Sequence, residues 1–409
     1  MKLPAYVKNC INVLESAGFS AFAVGGAVRD SLLGITPSDW DVTTSALPED
    51  ILTAFSDFRT IPTGIKHGTV TVLFEENGKS VPVEITTFRI DGEYKDSRHP
   101  ESVTFSRDIS DDLSRRDFTV NAMAYNETVG LVDVFGGRSD LDNRIIRAVG
   151  DPELRFSEDA LRILRAFRFA AQLDFTIEEK TLAAASKKAD LLSKIARERI
   201  AAETKKLLTP KGVSKSLRSM IENGIWYAIF PAVPSDNVVN RLGELPDGFF
   251  ELRLSALLSD MSETETAEML ASLRLSNAEN KKILRLIRAR AFVLPRSADE
   301  LPIFARRFLH LYSNVLDEAL CLCSFFNKEA DFAAFESIVR NEQSQARCLS
   351  ISDLAINGSD LLPLCSGRYE LVGKTLARLL ALVVDDPSLN NRETLLTLAD
   401  NFITQNKQQ

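Results

Sequence analysis

The sequence is poor in the residues that build disulfide frameworks and zinc sites, and it has no long apolar segment. Its 409 residues include five cysteines, an odd number spread widely along the chain, which argues against a disulfide framework. Cys321 and Cys323 lie in a Leu- and Phe-rich helical context without a nearby histidine, so we expect core residues rather than a zinc site. No apolar run approaches the length of a membrane span, and the first residues show no signal-peptide pattern. We therefore expect a cytoplasmic protein without membrane segments.

The chain is acidic overall, but its charge is unevenly distributed. The formal net charge at pH 7 is −8. Between Arg144 and Arg218, however, basic residues exceed acidic ones by about seven. A solvated helical surface could produce this bias, and a local basic segment is also what a polyanionic substrate requires. The composition therefore leaves a nucleic-acid partner open.

A pair of glycines followed by two carboxylates is the feature around which we interpret the chain. An apolar run ends at Gly25 and Gly26, which lack a Cβ and can let backbone N–H groups approach a phosphate chain. Asp39 and Asp41 follow, leading into the strand-forming residues 42–44. Because residues i and i+2 of a strand face the same side, the two carboxylates would offer hard oxygen ligands to a pair of magnesium ions. This order predicts a two-metal nucleotidyl transfer site, although chance acidic residues and an ordinary turn are the simpler alternative.

The segments that follow predict a small mixed sheet. Periodicity predicts helices at residues 5–17, 29–33 and 48–55 and a hairpin of strands at residues 69–74 and 81–88. Glu84 lies on the second strand, opposite its apolar face, and is a candidate third metal ligand or acceptor for the hydroxyl proton. An ordinary solvent-facing glutamate is the alternative. Residues 89–106 are polar and interrupted by glycine and proline, which predicts a mobile loop.

Two arginines and an aspartate, Arg115, Arg116 and Asp117, precede an apolar stretch that we predict to be helical. Guanidinium groups beside a metal-bound nucleotide can pair with phosphate oxygens, and an Asp or Asn nearby can hold a ribose hydroxyl. Residues 131–137 then predict a short strand and a turn.

Helical periodicity replaces the strand signals after Gly150. The helix predicted at residues 156–169, with Ser157 as N-cap, places Asp159 and Arg162 side by side on a polar face. An Asp that accepts from an exocyclic amine and an Arg that donates to a ring nitrogen would suit cytosine and adenine, and would oppose uracil and guanine. The alternative is an exposed ion pair without a role in base selection.

Taken in order, these motifs resemble those of the bacterial class II tRNA nucleotidyltransferases, the CCA-adding enzymes, within a family that also contains poly(A) polymerases. The motifs are GGAVRD with DWD, TGIKHGTVTV, VEITTFR, SRRDFTVNAMAY, LVDVFGG and SEDALRILRAFRFAAQL. The resemblance covers the first half of the chain without a gap. It continues more weakly in residues 356–362 and 387–395.

The resemblance implies an α+β N-terminal head of polymerase-β type followed by all-α neck, body and tail domains. The expected bounds are residues 1–142 for the head, 143–208 for the neck, 209–300 for the body and 301–409 for the tail. It also implies Mg²⁺ as the metal, CTP and ATP as substrates and tRNA as the partner. The oligomeric state is not indicated.

The resemblance further implies roles for individual residues. Asp39, Asp41 and Glu84 match catalytic carboxylates, of which Asp39 and Asp41 would hold metal, and the residues that match nucleotide-binding positions are Gly25, Gly26, Arg29, Arg116, Asp117, Asp159, Arg162 and Arg165. Asp159 and Arg162 match the pair that reads the incoming base in place of a template. None of the three histidines begins a His-Asp pair, so we do not expect the phosphohydrolase module fused to some relatives.

Other activities on the same scaffold are a poly(A) polymerase and an enzyme that adds only CC or only A. No Arg-rich stretch follows the Asp-x-Asp segment and the last residues carry little charge, and both features favour the tRNA enzyme over a poly(A) polymerase. Residues 91–100 look full length, which disfavours CC-only addition and makes residues 89–100 a candidate lever for the switch from C to A. The sequence does not separate CCA from A-only addition. A non-catalytic RNA-binding protein is a remote alternative, because both carboxylates are present.

Overall fold

The computed structural model describes residues 1–76, 78–92, 102–295, 297–327, 330–345, 348–365 and 368–407. The chain forms two compact units, the first comprising Met1–Phe250 with Met261–Leu275 and the second Glu251–Asp260 with Ser276–Gln409. The bounds of the four predicted domains stay a prediction. In the described parts of the chain, every helix is too short or too polar to cross a lipid bilayer.

The strands lie in the first unit, and most of them form a mixed sheet near the N-terminus. They are β1 Ala21–Val24, β2 Asp41–Thr44, β3 Arg59–Gly64, β4 Thr69–Glu76, β5 Lys79–Thr87, β6 Arg89–Asp91, β7 Val103–Phe105, β8 Ala124–Asn126, β9 Gly130–Val132, β10 Ile145–Ile146 and β11 Thr176–Ile177. The main sheet has seven strands in the order β3-β4-β5-β2-β1-β8-β9. Strands β2 and β5 are parallel and the other neighbours are antiparallel.

Helices surround this sheet and make up the rest of the chain. They are α1 Ala5–Ser16, α2 Gly26–Leu32, α3 Pro48–Ala54, α4 Ile109–Ser114, α5 Gly137–Asp142, α6 Pro152–Glu158, α7 Leu161–Leu173, α8 Glu179–Lys187, α9 Arg197–Leu208, α10 Val213–Glu222, α11 Asp236–Arg241, α12 Phe250–Leu258, α13 Glu263–Leu273, α14 Asn277–Arg290, α15 Leu301–Tyr312, α16 Leu316–Phe326, α17 Ala330–Ser344, α18 Gly358–Leu361, α19 Tyr369–Asp385 and α20 Arg392–Lys407. Helix α12 belongs to the second unit from Glu251 on. The predicted α+β head followed by helical domains is confirmed.

The central hairpin has one buried and one open face. In β5, Val83, Ile85 and Thr87 are buried, whereas the intervening Glu84 is exposed. This alternation is the signal of a strand packed on one side only. The predicted hairpin is confirmed. The helices predicted at residues 5–17 and 48–55 are also confirmed, as α1 and α3. The turn residue Asn77 lies outside the described residues. Glu84 consequently points to the open face, as predicted.

The loop predicted at residues 89–106 is wrong at both ends. Arg89 pairs with Phe105 and Asp91 with Val103, so β6 and β7 form a separate two-stranded ladder. The polar sequence concealed this ladder because backbone groups, not side chains, hold it together. Residues 93–101 lie outside the described residues, and the role predicted for residues 89–100 in the switch from C to A stays a prediction.

The helix predicted after Asp117 is also wrong. The chain makes one 3₁₀ turn at Thr119–Asn121 and then enters β8, which pairs with β1. Phe118, Val120 and Ala122 are fully buried, and the polar Thr119 and Asn121 between them are buried as well. A short segment that is buried on all sides can be a strand or a helix, and periodicity cannot separate them.

The single helix predicted at residues 156–169 is instead two helices, α6 and α7. Helix α6 begins at Pro152, where the Asp151 side chain accepts from the N–H of Glu153 and acts as the N-cap. Ser157, the predicted N-cap, lies inside α6 and donates to the backbone oxygen of Glu153. The chain is extended at Asp159, so α6 ends immediately before it.

The second unit is helical throughout its described residues. One of its cores is formed by α19 and α20, with Leu379, Val383, Leu395 and Ala399 fully buried. Cys323 is buried in α16 and donates to the backbone oxygen of Ala289, and Cys321 is partly buried. This placement agrees with the predicted packing role of both cysteines.

Candidate active site

A cavity of about 530 Å³ in the first unit collects most of the predicted site residues. It is lined by Gly25, Gly26, Arg29, Asp39, Asp41, Arg116, Asp117, Asp159, Arg162 and Arg165, all predicted, and by Arg115, Asn121, Leu161, Phe169 and Arg199. Glu84 lies beside Asp41 as its partner in the parallel pairing of β2 and β5. Residues from the sheet and from three helices, α2, α7 and α9, therefore meet around one space.

The glycine pair forms the tight entry into α2. Gly25 has φ +77°, a left-handed conformation that favours glycine, and a Cβ there would lie 3.1 Å from Nη1 of Arg116. Helix α2 starts at Gly26, three residues before the predicted start, because Gly25 already acts as its N-cap. The turn lets backbone approach the cavity without a side chain in between.

The carboxylates lie at the start of β2. The strand begins at Asp41, and Asp39 lies just before it, separated by the buried Trp40. Both aspartates are exposed, and the hydroxyl of Ser38 donates to Asp39 over 2.6 Å. Although Asp41 is open to solvent on one side, burial on the other raises its pKa to about 6; Glu84 and Asp39 add to the rise and Arg116 opposes it.

This crowding of negative charge fits a divalent cation. Asp39 and Asp41 offer hard carboxylate oxygens two residues apart, and a cation would relieve the repulsion that contributes to the raised pKa of Asp41. Among the described residues, however, no three His, Cys, Asp or Glu side chains form a ready-made metal site. The two carboxylates could therefore hold a divalent cation together with oxygens from other sources, such as substrate and water.

Arg29 also lines the cavity. Its guanidinium donates to Asn121 Oδ1 and, over 2.8 Å, to Asp30 Oδ1. It also lies over the ring of Phe169, 5.1 Å from the centroid, and is largely buried. These contacts fix the guanidinium at the cavity wall.

A buried carboxylate, Asp112, holds the next two arginines. Arg115 donates to Asp112 Oδ1 over 2.6 Å, Arg116 donates to Oδ2 over 3.0 Å, and the hydroxyl of Thr43 in β2 also donates to Oδ2. Burial alone would raise the pKa of Asp112, but Arg116 and Arg115 outweigh it and keep the pKa below its usual value. Asp112 therefore links β2 to Arg115 and Arg116.

Asp117 and Arg165, which also line the cavity, form an ion pair with two hydrogen bonds to one carboxylate oxygen. Arg165 donates to Asp117 Oδ2 through Nε at 2.8 Å and Nη2 at 2.5 Å, and Asn121 donates to Oδ1 at 3.1 Å. Burial would raise the pKa of Asp117, but Arg165 and these hydrogen bonds lower it to about 2. Asp117 is thus a fixed anion joining the sheet to α7.

Asp159 and Arg162 both line the cavity, but they do not lie on one helix face as predicted, and each is held by other partners. Asp159 pairs with Arg199 of α9 at 3.0 Å. Arg162 pairs with Glu158 at 2.7 Å and donates to the backbone oxygens of Arg115 and Arg155. The break before α7 explains the difference, because Asp159 does not lie on the helix that carries Arg162.

Sequence reasoning missed several residues of the site. Phe169 contacts three guanidinium groups, those of Arg29, Arg165 and Arg168, with centroid distances of 5.1, 5.3 and 4.0 Å. Its spacing of four residues from Arg165 on a helix was a usable signal. Asp112 and Arg199 carried no comparable signal, since an acidic residue near a helix start and a basic residue in a basic segment are both ordinary.

Comparison with known proteins places this geometry in a family. Residues 21–147 match a family model described as "Poly A polymerase head domain", and residues 174–236 match one described as "Probable RNA and SrmB- binding site of polymerase A". The CCA-adding enzyme of Enterococcus faecalis is 38% identical over 399 residues, covering 95% of this chain and 94% of that protein. The CCA-adding enzyme of Streptococcus suis is 48% identical over 252 residues, which are 60% of this chain.

Solved structures agree with the sequence relatives. The crystal structure of the Bacillus stearothermophilus CCA-adding enzyme in complex with CTP superposes with a TM-score of 0.82 at 32% identity and covers 100% of both chains. A Thermotoga maritima CCA-adding enzyme complexed with tRNA_CCA has a TM-score of 0.67 at 23% identity and shares the fold. From the cavity, the sheet and these relatives together, this chain belongs to the CCA-adding enzyme family of tRNA nucleotidyltransferases.

Proposed function

We propose that this protein adds C, C and A to the 3′ end of tRNA from CTP and ATP without a nucleic-acid template, and that Asp39 and Asp41 hold Mg²⁺ for the transfer. The observation that carries the proposal is the single cavity in which two exposed carboxylates face a set of fixed arginines and the Asp159 and Arg162 side chains. A relative that shares the whole length of this chain was crystallised with CTP. In nucleotidyl transfer, bound divalent metal neutralises the triphosphate and activates the attacking hydroxyl.

The protein's own residues would orient the nucleotide. The turn at Gly25 and Gly26 leaves room for the triphosphate, while Arg29 and Arg116 supply guanidinium donors to its oxygens. Asp117 would act at the same wall by holding Arg165 and Asn121 in place, because these two side chains and the N–H of Phe118 already occupy the acceptor sites of its two oxygens. Glu84, next to Asp41, would accept the proton of the attacking hydroxyl.

Asp159 and Arg162 would select the base. The three hydrogen bonds of Arg162 leave two of its five N–H donors for a ring nitrogen. Asp159 would accept from the exocyclic amine that cytosine and adenine share. Uracil and guanine present a carbonyl and an N–H at these places, so both contacts would be lost.

The helical region after residue 142 would supply the contacts to tRNA, divided into a neck at 143–208, a body at 209–300 and a tail at 301–409. Residues 144–218 of this region contain more basic than acidic residues. Residues 174–236 match a region described as a probable RNA-binding site. We place the protein in the cytoplasm, where tRNA ends are processed and where its five free thiols would stay reduced.

One experiment separates the candidate activities. Purified protein would receive magnesium, a tRNA lacking its 3′ terminal nucleotides, and each triphosphate alone and then CTP with ATP, with products separated at single-nucleotide resolution. We expect two C from CTP, one A only after CC, and then no further addition. A long A tail from ATP would establish a poly(A) polymerase, CC without A a CC-adding enzyme, and A on a CC end without use of CTP an A-adding enzyme. No incorporation with tRNA still bound would favour a non-catalytic binder.

A further inference from the structure

One aromatic ring, that of Phe169 in α7, lies next to three guanidinium groups. The Cζ atoms of Arg168, Arg29 and Arg165 lie 4.0, 5.1 and 5.3 Å from the ring centroid. Phe169 lines the cavity together with Arg29 and Arg165, yet only 6% of it is exposed. The fully buried Phe118 packs edge-on against it, with centroids 5.8 Å apart and ring planes at 79°. Packing therefore fixes the ring in an orientation in which it can attract cations.

Each of the three guanidinium groups also has a carboxylate partner. The pairs are Arg29 with Asp30 at 2.7 Å, Arg165 with Asp117 at 2.5 Å, and Arg168 with Glu203 at 3.3 Å. Positive charge is nevertheless crowded here, because burial and the neighbouring Arg165 lower the pKa of Arg168 to about 10. Since like charges repel, these groups stay together only while the ring and the carboxylates compensate the repulsion.

Arg29 brings this arrangement to the glycine turn. A Cβ at Gly26 would lie 3.6 Å from Nη2 of Arg29. The guanidinium donates through Nε to Asp30 and through Nη1 to Asn121, which leaves further N–H groups for an anion in the cavity. A flexible side chain loses conformational freedom when it binds a ligand, so a guanidinium that is already held in place binds phosphate more tightly.

We propose that Phe169 is a positioning residue for nucleotide binding, whose ring holds the guanidinium of Arg29 beside the glycine turn, where the triphosphate binds. The ring would act through Arg29 and not on the base. It should therefore strengthen the binding of CTP and ATP by the same factor and leave base selection unchanged. This inference rests on the proposed role of Arg29 in binding the triphosphate.

Isothermal titration calorimetry of the full-length protein with CTP, ATP and inorganic triphosphate, each with magnesium, tests this role. In Phe169→Leu, which keeps an apolar side chain without a ring, we expect Kd for all three ligands to rise about three- to tenfold. KM for CTP should rise by the same factor, while kcat changes less than about twofold. Phe55→Leu is the matched control, since Phe55 is fully buried in the same unit and packs against Phe58 and Phe74. Its Kd values should equal those of the wild type.

Fluorinated phenylalanines placed at position 169 separate the charge distribution of the ring from its shape. Fluorine withdraws negative charge from the ring face while the side chain keeps nearly the same shape. Kd for inorganic triphosphate should therefore rise stepwise from one to three fluorine atoms. A constant Kd across the series would overturn the inference. Circular dichroism checks folding, and if Phe169→Leu is unfolded, this series decides.

The double variant Phe169→Leu/Arg29→Gln shows whether the ring acts through Arg29. If it does, the double variant should bind inorganic triphosphate no more weakly than Arg29→Gln alone. Additive losses, or a loss limited to one of the two nucleotides, would contradict the proposal. Normal binding by Arg29→Gln would refute the role of Arg29 on which it rests. Failure of the proposed CCA addition is distinguishable, because the wild-type protein would then add no nucleotides or other ones, whereas triphosphate binding is measured without turnover.

Discussion

The cavity has a carboxylate side, formed by Asp39 and Asp41, and an arginine side, formed by Arg29, Arg116 and Arg165. The charges of the carboxylate side are exposed and close together, whereas those of the arginine side are paired with other side chains of the protein. Asp39 and Asp41 are exposed, and the pKa of Asp41 is raised to about 6 by partial burial and by neighbouring carboxylates. Asp117, which lines the same cavity, has its pKa lowered to about 2 because Arg165 and Asn121 hold its charged form. The pKa values of these aspartates are therefore shifted in opposite directions, upward for Asp41 and downward for Asp117.

This difference indicates a division of labour. Under the proposed function, a cation would stabilise the carboxylate side, which would suit a metal that binds together with the nucleotide. The arginine side is already held by internal contacts, so a triphosphate and a base would meet donors that need little rearrangement. Asp112 couples the two, because it binds Arg115, Arg116 and Thr43 of the strand that begins at Asp41.

The largest expected effect is that of removing one of the two carboxylates proposed to bind metal. Asp39→Ala or Asp41→Ala should lower incorporation of every nucleotide by at least about 1,000-fold, because no other ligand replaces the lost oxygen. Affinity for tRNA should stay nearly unchanged, since the helical region supplies the phosphate contacts. Single-turnover incorporation and a filter-binding assay measure the two quantities. Asp57→Asn, an exposed change elsewhere in the head, is the control, and substantial turnover by Asp41→Ala would refute the assignment.

On the arginine side, Asp117→Asn should mainly lower stability. Loss of the Asp117 charge should cost about 1–3 kcal/mol, less than for a fully buried pair, because Arg165 is 32% exposed and keeps Glu203 at 4.0 Å. Urea unfolding at pH 7 measures this. Because the folded pKa lies below the usual value of 3.8, the contribution is complete above about pH 4 and is lost as the pH falls towards 2. Asp142→Asn, which removes an exposed pair with Arg138, should cost little; an equal cost for both would contradict the comparison.

A third change tests the proposed role of Asp159 in base selection. Asp159→Ala should lower discrimination against UTP and GTP by about 10- to 100-fold, because a correct base then loses the acceptor for its amine. The change should weaken triphosphate binding much less. Competition between CTP and UTP in single-nucleotide addition measures the ratio. If all four nucleotides slowed equally, Asp159 would have only a structural role.

Local sequence patterns predicted many residues of this site, but they did not predict the residues that hold Asp159 in place. Gly25, Asp41 and Glu84 were recognisable because backbone conformation and strand periodicity are encoded locally. The contact of Asp159 with Arg199 was not, because it joins residues 40 positions apart and depends on how α7 and α9 pack. The break at Asp159 escaped notice for a related reason: residues on both sides have helical spacing, and no proline or glycine marks the interruption.

The raised pKa of Asp41 predicts how metal binding depends on pH. Above about pH 6 the carboxylate is ionised, whereas below it a metal ion must displace a proton. Apparent affinity for Mg²⁺ or Mn²⁺ should therefore fall by up to about tenfold per pH unit below pH 6. Manganese titration followed by electron paramagnetic resonance at pH 5, 6, 7 and 8 measures this dependence. A constant affinity from pH 5 to 8 would show that Asp41 does not compete with protons for the metal.

The smallest expected effect concerns the stability of the metal-free protein. A carboxyl group whose pKa is raised on folding destabilises the folded state above that pKa and has no such effect once it is protonated in both states. Asp41→Asn removes this charge, so in excess chelator at pH 8 the variant should unfold at a slightly higher temperature than the wild type. The gain should stay below about 1 kcal/mol, because solvent screens an exposed carboxylate, and it should vanish below about pH 4. Added magnesium should reverse the order, since only the wild-type carboxylate binds it well. A variant that is less stable than the wild type in chelator at pH 8 would mean that the carboxylates of this cavity do not repel one another.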